Sequence, residues 1–169
     1  IRASGLLWSE LVAWWGEITP GTSAANLGAR LQESLASDAE RKLFATYFKT
    51  YRPVLGEALP ALLPQVYLHY DPAIAKTLRH PLPRQRMDFL ILLPNRQRIV
   101  IEVDGKHHFS EGDLPSLKAY SEMVSSDREL RLVGYEVYRF GANELVGGHA
   151  EARIIDFFDR LFRLHHIRQ

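Results

Sequence analysis

The sequence predicts an α/β fold, and three observations predict it. The first third of the chain carries helical periodicity, two apolar runs near the middle read as strands joined by a tight turn, and an amphipathic helix closes the chain. At 169 residues and 46% hydrophobic content, the chain is long enough to bury a core of its own. Glycine and proline punctuation separates a helical beginning from a mixed remainder, with no internal repeat. The expected organisation is an N-terminal helical extension over residues 1–36 and a main domain over 37–169.

Ser4 to Gly16 reads as a helix with Leu7, Leu11 and Trp14 or Trp15 on one face, and Thr22 to Leu35 as a second. Ser37 to Tyr51 reads as a third, with Ser37 or Asp38 as its cap and Leu43, Tyr47, Phe48 and Tyr51 as its apolar stripe. Pro53, Pro60 and Pro64 interrupt the chain after this helix, and Gln65 to Tyr70 alternates as a strand that Asp71-Pro72 ends. Arg86 to Phe109 reads as a β-hairpin: an acid-bearing run from Met87 to Leu93, a Pro94-Asn95 turn, and a second acid-bearing run from Arg98 to Gly105. Asp113 to Leu132 is predicted as a helix and Tyr135 to Phe140 as a short strand. Ala150 to His165 closes the chain as a helix built on Ile154, Ile155, Phe158, Leu161 and Phe162.

Bulk composition narrows the chemistry. The absence of cysteine excludes disulfides and thiolate metal sites, and fits a reducing compartment, so a soluble cytoplasmic chain is the expectation. No run has the length to span a bilayer, and the N-terminus lacks a signal-peptide pattern. The chain opens on Ile1 rather than methionine, which leaves room for a longer parent. A net charge of +1 gives no global basic field, so any nucleic-acid contact has to come from a local patch.

The chemistry concentrates in the hairpin. Side chains alternate along a strand, so Glu102 and Asp104 share a face while Ile101 and Val103 take the other. With an odd number of residues in the turn, Asp88 joins the acids, and Phe89, Ile91 and Leu93 join Ile99, Ile101 and Val103. Three carboxylates on a low-dielectric sheet repel one another and lose hydration unless a cation compensates. Asp88, Glu102 and Asp104 are therefore the candidate metal ligands. An all-oxygen set selects Mg²⁺ or Mn²⁺, which keep waters and bridge to phosphate, and a metal-bound water then supplies phosphodiester hydrolysis. Lys106 can orient that water or balance charge. The bland reading makes Asp88 a strand-edge acid paired with an arginine, and Glu102 and Asp104 a simple lead into the Gly105 turn. His107 and His108, near that turn, read on their own as surface residues.

These residues resemble a known family. Asp88, then Glu102-Val-Asp104-Gly-Lys-His-His108, a helix with Asp127-Arg128, and the strand Gly134-Tyr-Glu-Val-Tyr-Arg-Phe140 resemble the PD-(D/E)XK nuclease superfamily. The branch they look closest to is that of the very-short-patch repair endonucleases. The similarity runs from about Ser37 to Phe140 and includes Glu40-Arg-Lys-Leu43 and Pro64-Gln65-Val66. It implies a restriction-endonuclease-like αβββαβ core with a mixed four-stranded sheet, flanked by helices. It implies Asp88 and Glu102 as metal ligands, Glu40 as an auxiliary acid, and His108 near the scissile phosphate. It also implies a Mg²⁺-dependent endonuclease, acting on DNA in repair, restriction or defence. The superfamily lysine falls where this chain has Asp104, so either Lys106 reaches in or Asp104 holds a second metal; the branch commonly carries Asp there.

The surroundings add a candidate contact surface. Arg79, His80, Arg84 and Arg86 lead into the Asp88 strand, while Arg96 and Arg98 at the turn read as solvated charge. Lys118, Arg128 and Arg131 are placed to face nucleic acid if the family geometry holds. The three tryptophans, Trp8, Trp14 and Trp15, read as packing on the domain, with a partner anchor as the alternative. Phe157 and Phe158 suggest no cofactor. The expected partners are nucleic acid, DNA first, with a second copy or further domains of a longer chain beside it. Rival readings are an inactive nuclease fold that binds DNA or a partner, against which the intact Asp88, Glu102 and Glu40 argue, and an RNA-cleaving effector with the same site.

Overall fold

The computed structural model describes residues 4–67, 86–105, 110–111 and 114–167. Their elements run α1 (Trp8–Ile18), α2 (Ala24–Glu33), α3 (Asp38–Leu55), β1 (Leu62–Tyr67), β2 (Arg86–Leu92), β3 (Arg98–Asp104), β4 (Ser110–Glu111), β5 (Leu114–Pro115), α4 (Leu117–Leu132), β6 (Glu136–Gly141) and α5 (Ala150–Leu164). A mixed four-stranded sheet in the order β1-β2-β3-β6 lies at the centre, and β4 and β5 form a separate two-stranded pair. The α/β class and the mixed four-stranded sheet agree with expectation. Strands β1, β2 and β3 are antiparallel neighbours, whereas β6 runs parallel to β3 after the crossover through α4.

Each face of the sheet is covered. Phe89, Ile91, Ile99, Ile101 and Val103 point into a large cluster with Leu43 and Tyr47 of α3, and Ile154, Phe158 and Phe162 of α5. Trp8, Leu27 and Leu35, from the N-terminal helical segment, enter the same cluster. On the other face Met87, Leu90, Val100 and Val137 pack against Leu130 of α4. Aromatic rings knit the first layer: Tyr47 meets Phe158 at 4.7 Å between centroids, and Trp8 meets Phe48 at 4.7 Å.

Several boundaries differ from the sequence expectation for local reasons. The first helix starts at Trp8, because the residues before it run extended. The Leu6 amide donates to the Leu92 carbonyl at 2.9 Å, and the Ala61 amide to the Leu6 carbonyl at 2.9 Å. The third helix continues past Pro53 to Leu55. A proline in the last turn forfeits only a bond near the helix end. The Tyr51 hydroxyl ties that end down, its one hydrogen shared between the Ile155 carbonyl at 2.9 Å and the Asp159 carboxylate at 2.7 Å. Strand β1 starts at Leu62 and contains Pro64, which an edge strand tolerates. The α4 helix starts at Leu117, where the Ser116 hydroxyl caps it by accepting from the Ala119 amide at 3.2 Å.

The hairpin has the odd turn that the apolar pattern requires. Leu92 pairs with Arg98, leaving residues 93–97 between them. The Leu93 amide closes the turn on the Gln97 carbonyl at 2.9 Å, and Asn95 and Arg96 adopt left-handed φ of 59° and 62°. This register sends Phe89, Ile91, Leu93, Ile99, Ile101 and Val103 to one cluster, as the alternation predicts.

Candidate metal and phosphate site

The site forms where β2 leaves β3. Their ladder runs as far as Phe89 opposite Ile101, and one further step sets Asp88 opposite Glu102. There the carboxylate of Asp88 replaces a ladder carbonyl: its Oδ2 accepts the Val103 amide at 2.8 Å. Strand β2 also loses its alternation across this point, since Met87 and Leu90, three positions apart, both lie in the second cluster. The neighbouring β1 does the same. Leu63 and Val66 both pack on the second cluster, and Gln65 between them has φ of 53°. Gln65 stands on the rung opposite Asp88, between the pairs Pro64 with Phe89 and Val66 with Met87. A left-handed glutamine stores strain, of the kind that collects at functional sites.

All four predicted acids among the described residues are buried: Glu40, Asp88, Glu102 and Asp104. Glu102 is the anomalous one. Its Oε1 is buried with no hydrogen-bond partner among the described residues. Burial, and then the charge of Asp88, push its carboxyl up to about 8, with Asp104 and Asp127 adding to the rise and Arg139 opposing it. That shift favours the neutral form of the Glu102 carboxyl at neutral pH.

Asp104 has a different setting. Arg139 occupies the same rung of β6 as Glu102 does of β3. Its Nη1 donates to Asp104 at 2.6 Å, while its Nε and Nη2 hold Asp127 of α4 at 3.0 and 2.6 Å. Burial works against the guanidinium charge, but the bond to Asp127 and the charges of Asp104, Asp127 and Glu102 outweigh it and raise its pKa. The sequence alone did not single out Arg139, although an arginine two positions past inward-facing Val137 was the available signal. The arginine therefore pairs with Asp104, for which the bland reading gives only a lead into the Gly105 turn.

Glu40 sits in a polar nest. Its Oε1 accepts from the Ser37 hydroxyl at 2.8 Å, and its Oε2 accepts from the Ala36 amide at 3.1 Å and from Gln65 Nε2 at 2.6 Å. Ser37 caps α3 by accepting the Glu40 amide at 3.1 Å, and the Glu40 carboxylate reaches the strained residue on the Asp88 rung. Gln65 has a place at the site that strand alternation does not reveal, because its left-handed φ breaks the pattern.

Can these residues hold a divalent cation? Among the described residues, no three Asp, Glu or His side chains are grouped as a ready-made ligand set. Asp88 and the orphaned oxygen of Glu102 nevertheless fit an ion such as Mg²⁺, which commonly takes one or two carboxylates and completes its shell with water. Lys106, His107 and His108, along with Arg79, His80 and Arg84, lie outside the described residues.

Of the contact residues, Arg86, Lys118, Arg128 and Arg131 are exposed. Arg128 and Arg131 line a shallow groove of about 460 Å³ on α4, together with Val124, Asp127 and Leu132. Asp127 joins that groove to the Arg139 network. A groove of about 610 Å³ between β6 and α5, lined by Tyr138, Phe140 and Phe157, lies on the other face of the sheet from Glu102 and Arg139. Trp8 is buried, Trp15 is partly buried beneath the Arg30 guanidinium at 5.4 Å, and Trp14 is 52% exposed. No helix among the described residues is long and apolar enough to cross a membrane. Comparisons with family models, with curated proteins and with solved structures found no match.

Proposed function

We propose that this chain is a Mg²⁺-dependent endonuclease of the PD-(D/E)XK type that hydrolyses DNA phosphodiester bonds, with Mn²⁺ as an alternative metal. The single observation that carries this reading is the buried Glu102 carboxyl, with one oxygen unpartnered among the described residues, on the rung opposite Asp88. A fold rarely keeps such a group without a ligand for it. Asp88 and Glu102 are the metal ligands. When bound, the ion supplies a Lewis acid for a phosphate oxygen and a water of lowered pKa.

The protein's own residues do the rest. Asp88, anchored by the Val103 amide, presents its carboxylate from a fixed point. Arg139 holds Asp104 by the site and brings a partly buried positive charge to the rung where phosphate charge would develop. That places a cation near the position where the superfamily carries its lysine. Lys106 and His108 remain candidates for orienting water and meeting the scissile phosphate, and Glu40 for an auxiliary acid. Repair, restriction or defence against foreign DNA are the roles that the resemblance suggests.

The test is incubation of the purified chain with supercoiled plasmid, single-stranded DNA and RNA, in Mg²⁺, Mn²⁺ or EDTA, beside Asp88→Ala and Glu102→Ala. Metal-dependent cleavage that vanishes in both variants supports the reading. Cleavage of RNA alone moves the substrate to RNA. Intact substrates together with no divalent-metal binding would leave a non-cleaving binding module as the better account.

A further inference from the structure

Helix α4 is under-packed for its length. Of its sixteen residues only Leu130 is buried, while Leu117 is 86% exposed and Tyr120 54% exposed. At about 100° per residue, the exposed side chains sort by chemistry. Leu117, Tyr120, Val124, Arg128 and Arg131 fall with Asp127 in an arc of about 100°. Asp127 bonds to Arg139, so this arc is the shoulder of the helix that adjoins the acidic site. Glu122 and Glu129 lie about 100° or more beyond the arc, and Lys118 sits nearer to them than to Arg131. A helix with three basic and three acidic residues thus turns two arginines, an aromatic ring and aliphatic side chains toward the site, and two of its acids away.

Intact duplex is a poor match for that stripe. Its base faces are stacked inside and its backbone offers charge, so Leu117, Tyr120 and Val124 would gain little from it. Unpaired bases offer π-faces to an aromatic ring and phosphates to arginine. We infer that α4 is a track for unpaired DNA, with Tyr120 stacking a base and Arg128 and Arg131 taking phosphates, so that the substrate is single-stranded or locally unpaired. This inference rests on the nuclease reading for its biological sense, but its test does not need cleavage.

The experiment is fluorescence anisotropy in EDTA, with one labelled DNA strand alone and annealed to its complement, for wild type, Tyr120→Ala, Tyr120→Phe and the pair Arg128→Ala/Arg131→Ala. Wild type is expected to bind the single strand more tightly than the duplex. Tyr120→Ala should lose about tenfold in single-strand affinity with little change for duplex, and Tyr120→Phe should retain it. The double arginine variant should lower the salt dependence of single-strand binding, by a slope of about 0.7 per phosphate contact. Equal affinities in wild type, or an unchanged single-strand affinity in Tyr120→Ala, would overturn the inference. So would concentration-dependent self-association that Tyr120→Ala abolishes, because a second copy would then be the occupant. If plasmid, single-stranded DNA and RNA all survive the cleavage assay while Tyr120-dependent binding persists, the nuclease reading falls and this inference stands; cleavage without Tyr120-dependent binding separates them the other way.

Discussion

Glu102 and Arg139 occupy one rung of parallel strands, yet the arginine directs its hydrogen bonds to Asp104 and Asp127 and leaves Glu102 Oε1 unpartnered among the described residues. A cation sits beside the acid without neutralising it. That arrangement, with the strained rung next to it, governs how the protein should respond to pH, to metal and to substitution.

Metal-free protein should lose stability as pH rises. The Glu102 carboxyl has an ordinary value of 4.5 and is raised to about 8 in the fold. Between those values the unfolded chain releases a proton that the folded chain keeps. Stability therefore falls from about pH 5 to pH 8 and levels off above, by an amount of the order of a few kcal/mol. Urea unfolding in EDTA across that range measures it. Glu102→Gln, which removes the titration and keeps the shape, should flatten the slope and be the more stable protein at pH 8.

Divalent metal should reverse that loss. At pH 8, millimolar Mn²⁺ is expected to raise the melting temperature of wild type but not of Glu102→Gln or Asp88→Asn, by the mass-action stabilisation of a ligand that binds only the folded state. Equal shifts in all three proteins would place the ion elsewhere.

Replacing Arg139 with methionine should be severe. It leaves Asp104 and Asp127 without their shared cation in a poorly solvated setting, a change that costs about 3 kcal/mol or more. Adding Asp127→Asn to the variant should restore part of that loss, which a double-mutant cycle in urea resolves.

Gln65 separates strain from bonding. Gln65→Ala and Gln65→Gly both remove the bond to Glu40, but glycine accepts φ of 53° freely. The glycine variant should therefore be more stable than the alanine variant by about 1 kcal/mol. Equal stabilities would mean that the backbone relaxes at no cost.

Much of this was legible in the sequence. The hairpin, its odd turn and the apolar face from Phe89 to Val103 follow from strict alternation around Pro94-Asn95, because a one-residue slip would expose the whole face. The closing helix is legible from Ile154, Phe158 and Phe162 for the same kind of reason. The rest depended on contacts distant in sequence. Extended residues before Trp8 are held by Leu92 and Ala61, the passage of α3 beyond Pro53 by Tyr51 and α5, and neither hold is encoded locally. At the site, alternation paired Glu102 with Asp104, but the partner that claims Asp104 comes from β6, thirty-five residues further on. The break in alternation at Gln65 and Asp88 has no periodic signature, since a strained residue is by nature an exception to the pattern around it.

The kink in β1 has a consequence for how copies of this chain meet one another. A sheet margin with regularly spaced amides invites another strand to add to it, which is how folded proteins begin to aggregate. Strand β1 forms one margin of the sheet, and within two consecutive residues it has Pro64, with no amide hydrogen, and Gln65, whose reversed φ turns its peptide out of line. The residue that bonds Glu40 thus also blunts that margin as a template, so straightening it with a β-branched residue should raise the tendency to form intermolecular sheet as well as disturb the site.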